Sequence, residues 1–133
     1  YIDETNHSDW IAIVENVDQS DIAFYAIDNC IVIRRQNGEM ESRCDGMLHS
    51  KRILIFIELK DRISKGWLSD GCKQITTTIA MFRANYKMSG DFHIQAYICN
   101  KRRPLQSSGY QFQIEKFKDA TGINLSIKQK INI

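Results

Sequence analysis

The segment IFIELKDR, residues 55–62, contains the first side chains whose types and spacing suggest chemistry. Side chains alternate across a β-strand, so Glu58 and Lys60 share one face with the apolar Phe56. That face changes from apolar to ionic in its last two positions, whereas the opposite face of the same strand stays apolar to its end. A carboxylate and an ammonium group are therefore expected at the edge of a core, where a cleft can open.

A second carboxylate, Asp45, lies on the segment that precedes this strand. Asp45 and Glu58 are nearly equidistant from a turn near residue 51, which places them opposite each other in a hairpin, with Cβ atoms roughly 5 Å apart. A register slip of one residue would separate them. Opposed like charges destabilise a sheet, but a divalent cation between them removes the repulsion. Mg²⁺, with Mn²⁺ as a substitute, suits such a pair, because it takes one or two carboxylates plus water and phosphate oxygens.

The elements that must position these residues follow from the periodicity of the apolar residues. The predicted elements are a helix over 8–17, strands over 28–35, 39–46 and 52–60, a helix over 67–87, a strand over 91–100, a helix within 110–122 and an edge strand over 123–131. Asn37-Gly38 predicts a hairpin turn between the first two strands, and Gly90 and Gly122 are the predicted helix ends. This order predicts an α/β fold with a mixed central sheet, a three-strand antiparallel meander plus a crossover strand, flanked by helices.

The spacing of the candidate residues resembles the PD-(D/E)XK nuclease superfamily, which includes many restriction endonucleases and Holliday-junction resolvases. Asp45 is followed, after twelve intervening residues, by Glu58-Leu59-Lys60 on a core strand. The resemblance implies a restriction-endonuclease-like core over about residues 8–100, with residues 105–133 as a C-terminal helix-strand elaboration of one domain spanning 1–133. It also implies that Asp45 and Glu58 bind the metal and that Lys60 is the catalytic lysine.

Two further residues enter through the resemblance. Many members have a glutamine on the helix after the lysine strand, and Gln74 lies off the apolar stripe of the predicted helix. Some members add an acidic residue from the first helix, for which Glu15 is the candidate. An ordinary polar surface position is the alternative interpretation of both. This sequence departs from the superfamily at Cys44, where a proline often precedes the aspartate, and at Thr78, where some subgroups have a tyrosine.

The overall charge of the 133-residue chain does not identify a partner. Its 18 Lys and Arg against 16 Asp and Glu give a net charge of +2, which is too balanced to indicate nucleic-acid binding by itself. A local basic patch is compatible with this balance. The candidate phosphate contacts are Lys73 on the helix near the proposed metal, and Lys101, Arg102 and Arg103 in a loop. Solvated surface is the alternative interpretation of the loop cluster.

Cysteine usage and hydropathy indicate the compartment. Cys30, Cys44, Cys72 and Cys99 form no C-x-x-C pair and match no zinc module. They are interpreted as buried or half-buried thiols in a reducing compartment, which predicts a cytoplasmic protein. No stretch approaches the roughly 20 apolar residues of a membrane span, so no membrane association is expected.

The leading functional prediction is a Mg²⁺-dependent nuclease that hydrolyses nucleic acid, with DNA favoured over RNA. One alternative is a catalytically silent nuclease-fold module that binds nucleic acid or a protein partner within a larger assembly. Another is a toxin or antiviral nuclease domain cut from a longer polypeptide. The alternating pattern of the last strand suits pairing with a second copy, and symmetric cutting of a duplex would need such a homodimer.

Overall fold

The computed structural model describes residues 4–28, 30–32, 34, 36–61, 64–87, 91–101 and 108–133. After a 3₁₀ turn over His7–Asp9, the elements in chain order are β1 (Ile13–Glu15), β2 (Ala23–Ala26), β3 (Gly46–Ser50), β4 (Ile53–Leu59), α1 (Trp67–Asn85), β5 (His93–Cys99), α2 (Ser108–Thr121), β6 (Leu125–Ile127) and β7 (Lys130–Asn132). The fold is α/β. A five-stranded sheet has the order β2-β3-β4-β5-β6, and β1 pairs with β7 in a separate two-stranded sheet.

The five-stranded sheet is mixed, as the sequence predicts. Strands β2, β3 and β4 form an antiparallel meander. Strands β4, β5 and β6 are parallel. A tight turn joins β3 to β4 and a long excursion joins β2 to β3, whereas α1 and α2 provide the crossovers that parallel neighbours require.

The two faces of this sheet are covered by different layers. On one face, Phe56 packs in a core cluster with Ile75 of α1 and Phe117 of α2. On the other face, Ile55 packs in a second cluster with Ile131 of β7. Both crossovers move the chain in the same direction across the sheet, so both helices pack on one face. We call this the helix side, and the β1–β7 sheet covers the opposite side.

The central position of β4 explains its composition. Strand β4 has a neighbour on each edge and a layer over each face, so its residues from Leu54 to Glu58 are all buried. A strand buried on both faces reads as a continuous apolar run. Glu58 interrupts that run and is only 2% exposed. A fully buried carboxylate in a central strand therefore needs a reason that packing alone does not provide.

The two long helices agree with their predicted spans. Helix α1 begins at Trp67 as predicted and ends at Asn85, two residues before the predicted end. Gly122 has a φ of +73° and donates its N–H to Lys118 O at 2.7 Å, which ends α2 in the left-handed conformation that glycine favours. Gly90, the predicted end of the first of these helices, lies outside the described residues.

The predicted helix over 8–17 is wrong. This segment forms the 3₁₀ turn and then β1, in which Ile13 pairs in parallel with Lys130 at the other end of the chain. Ile11 and Ala12 pack against the core cluster on the side opposite the helices. Pairing between distant segments and burial under the sheet thus override a local helical periodicity.

The strands predicted over 28–35 and 39–46 are also wrong. The first strand of the meander is β2, and the second begins only at Gly46. Among the described residues between them, one isolated antiparallel bridge, Arg34–Met40, spans the predicted Asn-Gly turn. The apolar residues Ile31, Val32 and Met40 around this turn are exposed, with Val32 at 69%, so no core fixes them in a longer ladder.

The predicted edge strand over 123–131 divides into two. Strand β6 extends the central sheet beside β5, whereas β7 joins β1 in the second sheet. Throughout the part of the chain that the structure describes, neither helix combines the length and apolar character needed to cross a bilayer.

Candidate functional site

Asp45 and Glu58 converge on the helix side of the sheet. The β3–β4 register ends at the pair Gly46–Ile57, and its extension by one residue places Asp45 opposite Glu58. The Oδ2 atom of Asp45 accepts the N–H of Leu59 at 2.6 Å, which fixes this carboxylate against the end of β4. The hairpin register that the sequence predicts for the two carboxylates is therefore the one the fold adopts.

The electrostatics of the pair are those of two carboxylates removed from water. Burial raises the pKa of Glu58 to about 7; hydrogen bonding to Lys60 opposes this shift, and the charge of Asp45 adds to it. Burial also raises the pKa of Asp45; the N–H of Leu59 opposes the shift, and the charge of Asp28 reinforces it. The charge of Asp45 therefore makes Glu58 harder to ionise, whereas a hydrogen bond with Glu58 lowers the pKa of Asp45.

Lys60 is held between the carboxylates and α1. Its Nζ atom lies 2.6 Å from Glu58 Oε1 and donates to Gln74 Oε1 at 2.7 Å. Gln74 Nε2 donates in turn to Arg43 O at 3.1 Å, so both ends of the amide are used. The structure therefore brings Gln74 into direct contact with the lysine, and the amide holds the ammonium group in one orientation.

The two residues that depart from the superfamily pattern are joined by a hydrogen bond. The N–H of Cys44 donates to Thr78 Oγ1 at 2.8 Å, and the Thr78 hydroxyl donates to Gln74 O at 2.9 Å. This contact fixes the backbone next to Asp45 against α1. Burial raises the pKa of the Cys44 thiol to about 12, so the thiol is protonated at neutral pH.

Gly71 lets α1 approach the site closely. A Cβ atom at this position would lie 2.9 Å from Ile98 Cδ1, 3.4 Å from Lys60 Cε and 3.5 Å from Glu58 Cγ. A side chain here would clash with Ile98 and would contact the aliphatic parts of Lys60 and Glu58. The glycine is thus part of what holds the helix, the lysine and the glutamate together.

The donor set fits a hard divalent cation. Glu58 Oε2 is buried and has no hydrogen-bond partner, which is costly for a carboxylate oxygen. It lies beside a second carboxylate, that of Asp45. Among the described residues no group of three or more His, Cys, Asp or Glu is placed to hold a metal. Mg²⁺ suits a site with only two carboxylates, because it retains waters and binds substrate oxygens.

Two charged residues near the site were not predicted from the sequence. Asp28 Oδ1 lies 3.4 Å from Arg43 Nη2, and the Arg43 side chain is 6% exposed. Asp28 raises the pKa of Asp45, so its charge reaches the metal-ligand candidates. The only sequence signal was the position of Arg43, two residues before Asp45. Asp28 comes close because the chain returns after a long excursion, which local patterns do not show.

The structure does not bring Glu15 to this site. Its Oε1 atom pairs with Lys130 Nζ at 2.5 Å, between β1 and β7. These two strands form the layer on the face opposite the helix side. The expectation that Glu15 joins the metal site depended on a first helix, and that helix is a turn and a strand instead.

The predicted phosphate contacts are only partly described. Lys73 is exposed on α1, next to Gln74 in the sequence. Lys101 pairs with Asp61, Nζ to Oδ1 at 3.3 Å, at the carboxyl ends of β5 and β4. Arg102 and Arg103 lie outside the described residues.

The four cysteines are free, as the sequence predicts, but the prediction that all four are buried or half-buried is wrong for Cys30. Cys44, Cys72 and Cys99 are buried, and Cys30 is exposed. No disulfide therefore constrains the site, and the residues that surround it are held by packing and hydrogen bonds.

Comparison with protein-family models, with curated proteins and with solved structures found no match to this chain. The resemblance to the nuclease superfamily therefore depends on the residues and on the order of the elements. The chemistry of the site has to be argued from its own geometry.

Proposed function

We propose that this chain is a Mg²⁺-dependent nuclease that hydrolyses phosphodiester bonds in DNA. The observation that carries the proposal is the convergence of Asp45 and Glu58 beside Lys60, with Glu58 Oε2 buried and without a hydrogen-bond partner. Strongly perturbed acids next to a specific charge partner are typical of functional sites.

Each residue of the site has a separate task in this proposal. A bound Mg²⁺ would supply the Lewis acid that polarises a phosphodiester and lowers the pKa of a water molecule. Asp45 and Glu58 would hold the cation. Lys60 would offer positive charge where negative charge develops on the phosphate, and Gln74 would keep its ammonium group aimed at that point.

A restriction-endonuclease-like core is the fold that we propose for this chain. The meander β2-β3-β4, followed by α1 and β5, is the order of a restriction-endonuclease-like core, and it is the part of the fold that supports the resemblance. The first helix of that core has no counterpart among the described residues before β2, where a 3₁₀ turn and β1 occur instead. The site itself does not use this segment.

One contact favours the alternative of a nuclease-fold module that binds without hydrolysis. Lys60 Nζ lies 2.6 Å from Glu58 Oε1, so an ammonium group already offsets part of the charge that a cation would neutralise. A protein with this ion pair as its final state would bind nucleic acid, or a protein partner, without a metal. Metal binding separates the two proposals.

The decisive experiment measures plasmid cleavage and Mn²⁺ binding with the same protein preparations. We expect the wild-type chain to cut plasmid DNA with Mg²⁺ or Mn²⁺ and not with EDTA. Lys60→Ala should reduce the rate about 10²- to 10³-fold, the usual cost of removing one electrostatic stabiliser. Asp45→Asn should abolish Mn²⁺ binding, measured by calorimetry.

The matched control is Lys118→Ala, which removes an exposed lysine of α2. Its cleavage rate should stay within about twofold of the wild type, because surface substitutions of this kind change little. Cleavage that Lys60→Ala leaves unchanged would remove Lys60 from the mechanism. Absence of both cleavage and Mn²⁺ binding in the wild type would favour the binding module.

A further inference from the structure

A groove of about 890 Å³ lies on the helix side of the sheet, next to the candidate site. Two residues belong to both. Thr78 lines the groove and also bonds to Cys44 N and Gln74 O. Ile27 lines the groove and donates its N–H to Asp45 O at 2.9 Å. The groove therefore begins where the carboxylate site ends, and a ligand long enough could occupy both.

The groove continues the three rows of side chains that carry the site. The rows are Glu58, Phe56 and Leu54 on β4, Asp45 with Met47 and His49 of β3 after it, and Gln74, Thr78 and Phe82 of α1 with Tyr86 after them. Steps of two residues on a strand, and of four on a helix, keep side chains on one face. Each row starts at a polar site residue and leads into the groove, and the helix row extends for roughly 18 Å.

Aromatic rings form a ladder from the core to the surface of the groove. Phe56 and Phe82 meet edge to face, with ring centroids 5.6 Å apart. Phe82 and Tyr86 stack at 4.9 Å with an interplanar angle of 22°. Tyr86 is 63% exposed, so the ladder ends in a ring on which a further planar group can stack.

The charge of the lining restricts the occupant. The lining includes Lys87 and His49, and its described residues include no aspartate or glutamate. A groove with aromatic rings, a cation and no acid fits a ligand that has planar rings and negative charge. Single-stranded nucleic acid has both, and its bases stack on aromatic side chains while its backbone follows positive charge.

We propose that this groove binds the unpaired bases of a single-stranded DNA segment whose backbone reaches Asp45, Glu58 and Lys60. The inference rests on the proposed nuclease function and adds its substrate class: a single strand, or the unpaired arm of a branched DNA. Bases within a continuous duplex are stacked and paired, so their faces are not free for the ladder. The groove selects strands by stacking and is therefore tolerant of base sequence.

The test measures the binding of a fluorescein-labelled single-stranded DNA, and of the blunt duplex of the same sequence, in EDTA. We expect the wild type to bind the single strand more tightly. Tyr86→Ala should weaken single-strand binding roughly 5- to 150-fold, the effect of losing one base-stacking ring. Tyr86→Phe keeps the ring and should stay within about twofold of the wild type.

The matched control is Phe112→Ala, because Phe112 is also 63% exposed but lies on α2, away from the groove lining. Its single-strand affinity should not change. Equal losses in Tyr86→Ala and Phe112→Ala, or equal binding of single strand and duplex, would overturn the inference. A change of sedimentation coefficient with Tyr86→Ala would overturn it too, since a second copy of the chain would then occupy the groove.

This outcome is separable from that of the proposed nuclease function. The binding assay contains no divalent cation, so it does not depend on hydrolysis. Tyr86-dependent binding without metal-dependent cleavage would support single-strand binding in the groove and contradict the proposed nuclease function. Cleavage that depends on Lys60, and prefers duplex DNA regardless of Tyr86, would support the nuclease function and contradict single-strand binding in the groove.

Discussion

The two faces of the seven-residue strand β4 differ in chemistry: one is apolar, and the other carries a buried carboxylate. Towards the β1–β7 layer, Ile55 and Ile57 are 1% and 5% exposed and pack around Ile131. Towards the helices, Phe56 is followed by Glu58, which is equally buried but charged when ionised. Burial of the apolar face stabilises the fold. Burial of the Glu58 carboxylate on the other face costs free energy.

This difference shows how a central strand can present a reactive group. Glu58 has a backbone neighbour on both edges, because β3 and β5 flank β4. Its position is therefore set by the ladders and by the apolar face one residue away, and the carboxylate cannot turn to solvent without breaking the sheet. Adjacent residues of β4 lie on opposite faces of the sheet. Substitutions on the apolar face should therefore change stability, and substitutions on the other face should change metal binding.

The largest expected effect is on the apolar face. Ile55→Ala should lower the free energy of unfolding by about 2–5 kcal/mol, because it removes a buried side chain and leaves a cavity. The affinity of the folded variant for Mn²⁺ should match that of the wild type. Urea denaturation and calorimetric titration measure the two quantities.

The control for this prediction is Leu59→Ala. Leu59 lies on the same face of β4 but is 37% exposed, so its truncation should cost less. The milder Ile55→Val, expected to cost about 0.5–1.5 kcal/mol, preserves the test if the alanine variant does not fold. The comparison of faces would fail if folded Ile55→Val bound Mn²⁺ as poorly as Asp45→Asn.

The next effect is the pH dependence that the ionic face imposes. The pKa of Glu58 is raised from 4.5 to about 7 by burial, so the folded state keeps a proton that the unfolded state has lost. Below pH 4.5 the carboxyl group is neutral in both states and costs nothing. As the pH rises from 4.5 through 7, stability should fall by about 3 kcal/mol in total.

Glu58→Gln tests this dependence, because glutamine has no proton to lose. Urea denaturation of the variant should show a smaller loss of stability between pH 5 and pH 8 than that of the wild type. The proposed Mg²⁺ would bind the ionised form, so added Mg²⁺ should restore wild-type stability more at pH 8 than at pH 5. Parallel stability curves for the two proteins would show that Glu58 is not the group that titrates.

The arrangement of the candidate residues could be predicted from the sequence because it depends on two local rules. Alternation along β4 puts Glu58 and Lys60 on one face, and equal distance from a short turn puts Asp45 opposite Glu58. Gln74 follows from the apolar stripe of α1, which leaves it free to face the strand. These relations involve neighbouring elements, where patterns of two and of three to four residues determine direction.

The rest depends on contacts between distant parts of the chain. Ile13 is in a strand because it pairs with Lys130, and the local sequence of neither segment indicates this pairing. The position of β2 is similar, because Tyr25 pairs with Met47 across an excursion of about twenty residues. The contact between Arg43 and Asp28 depends on how that excursion returns. Long-range pairing of this kind overrides propensity and is not visible in periodicity.

The smallest expected effect concerns the contact that joins α1 to the chain beside Asp45. Thr78→Val keeps the shape of the side chain but removes the hydroxyl that accepts Cys44 N–H. The buried N–H would lose its partner, so the free energy of unfolding should fall by about 1–3 kcal/mol. Mn²⁺ affinity should also fall, because the backbone next to Asp45 is released, whereas Ile55→Val should change stability alone.

Thr77→Val, at a half-buried position of the same helix turn, is the matched control and should change both quantities little. Equal effects of the two threonine substitutions on Mn²⁺ affinity would show that this hydrogen bond does not position the carboxylate.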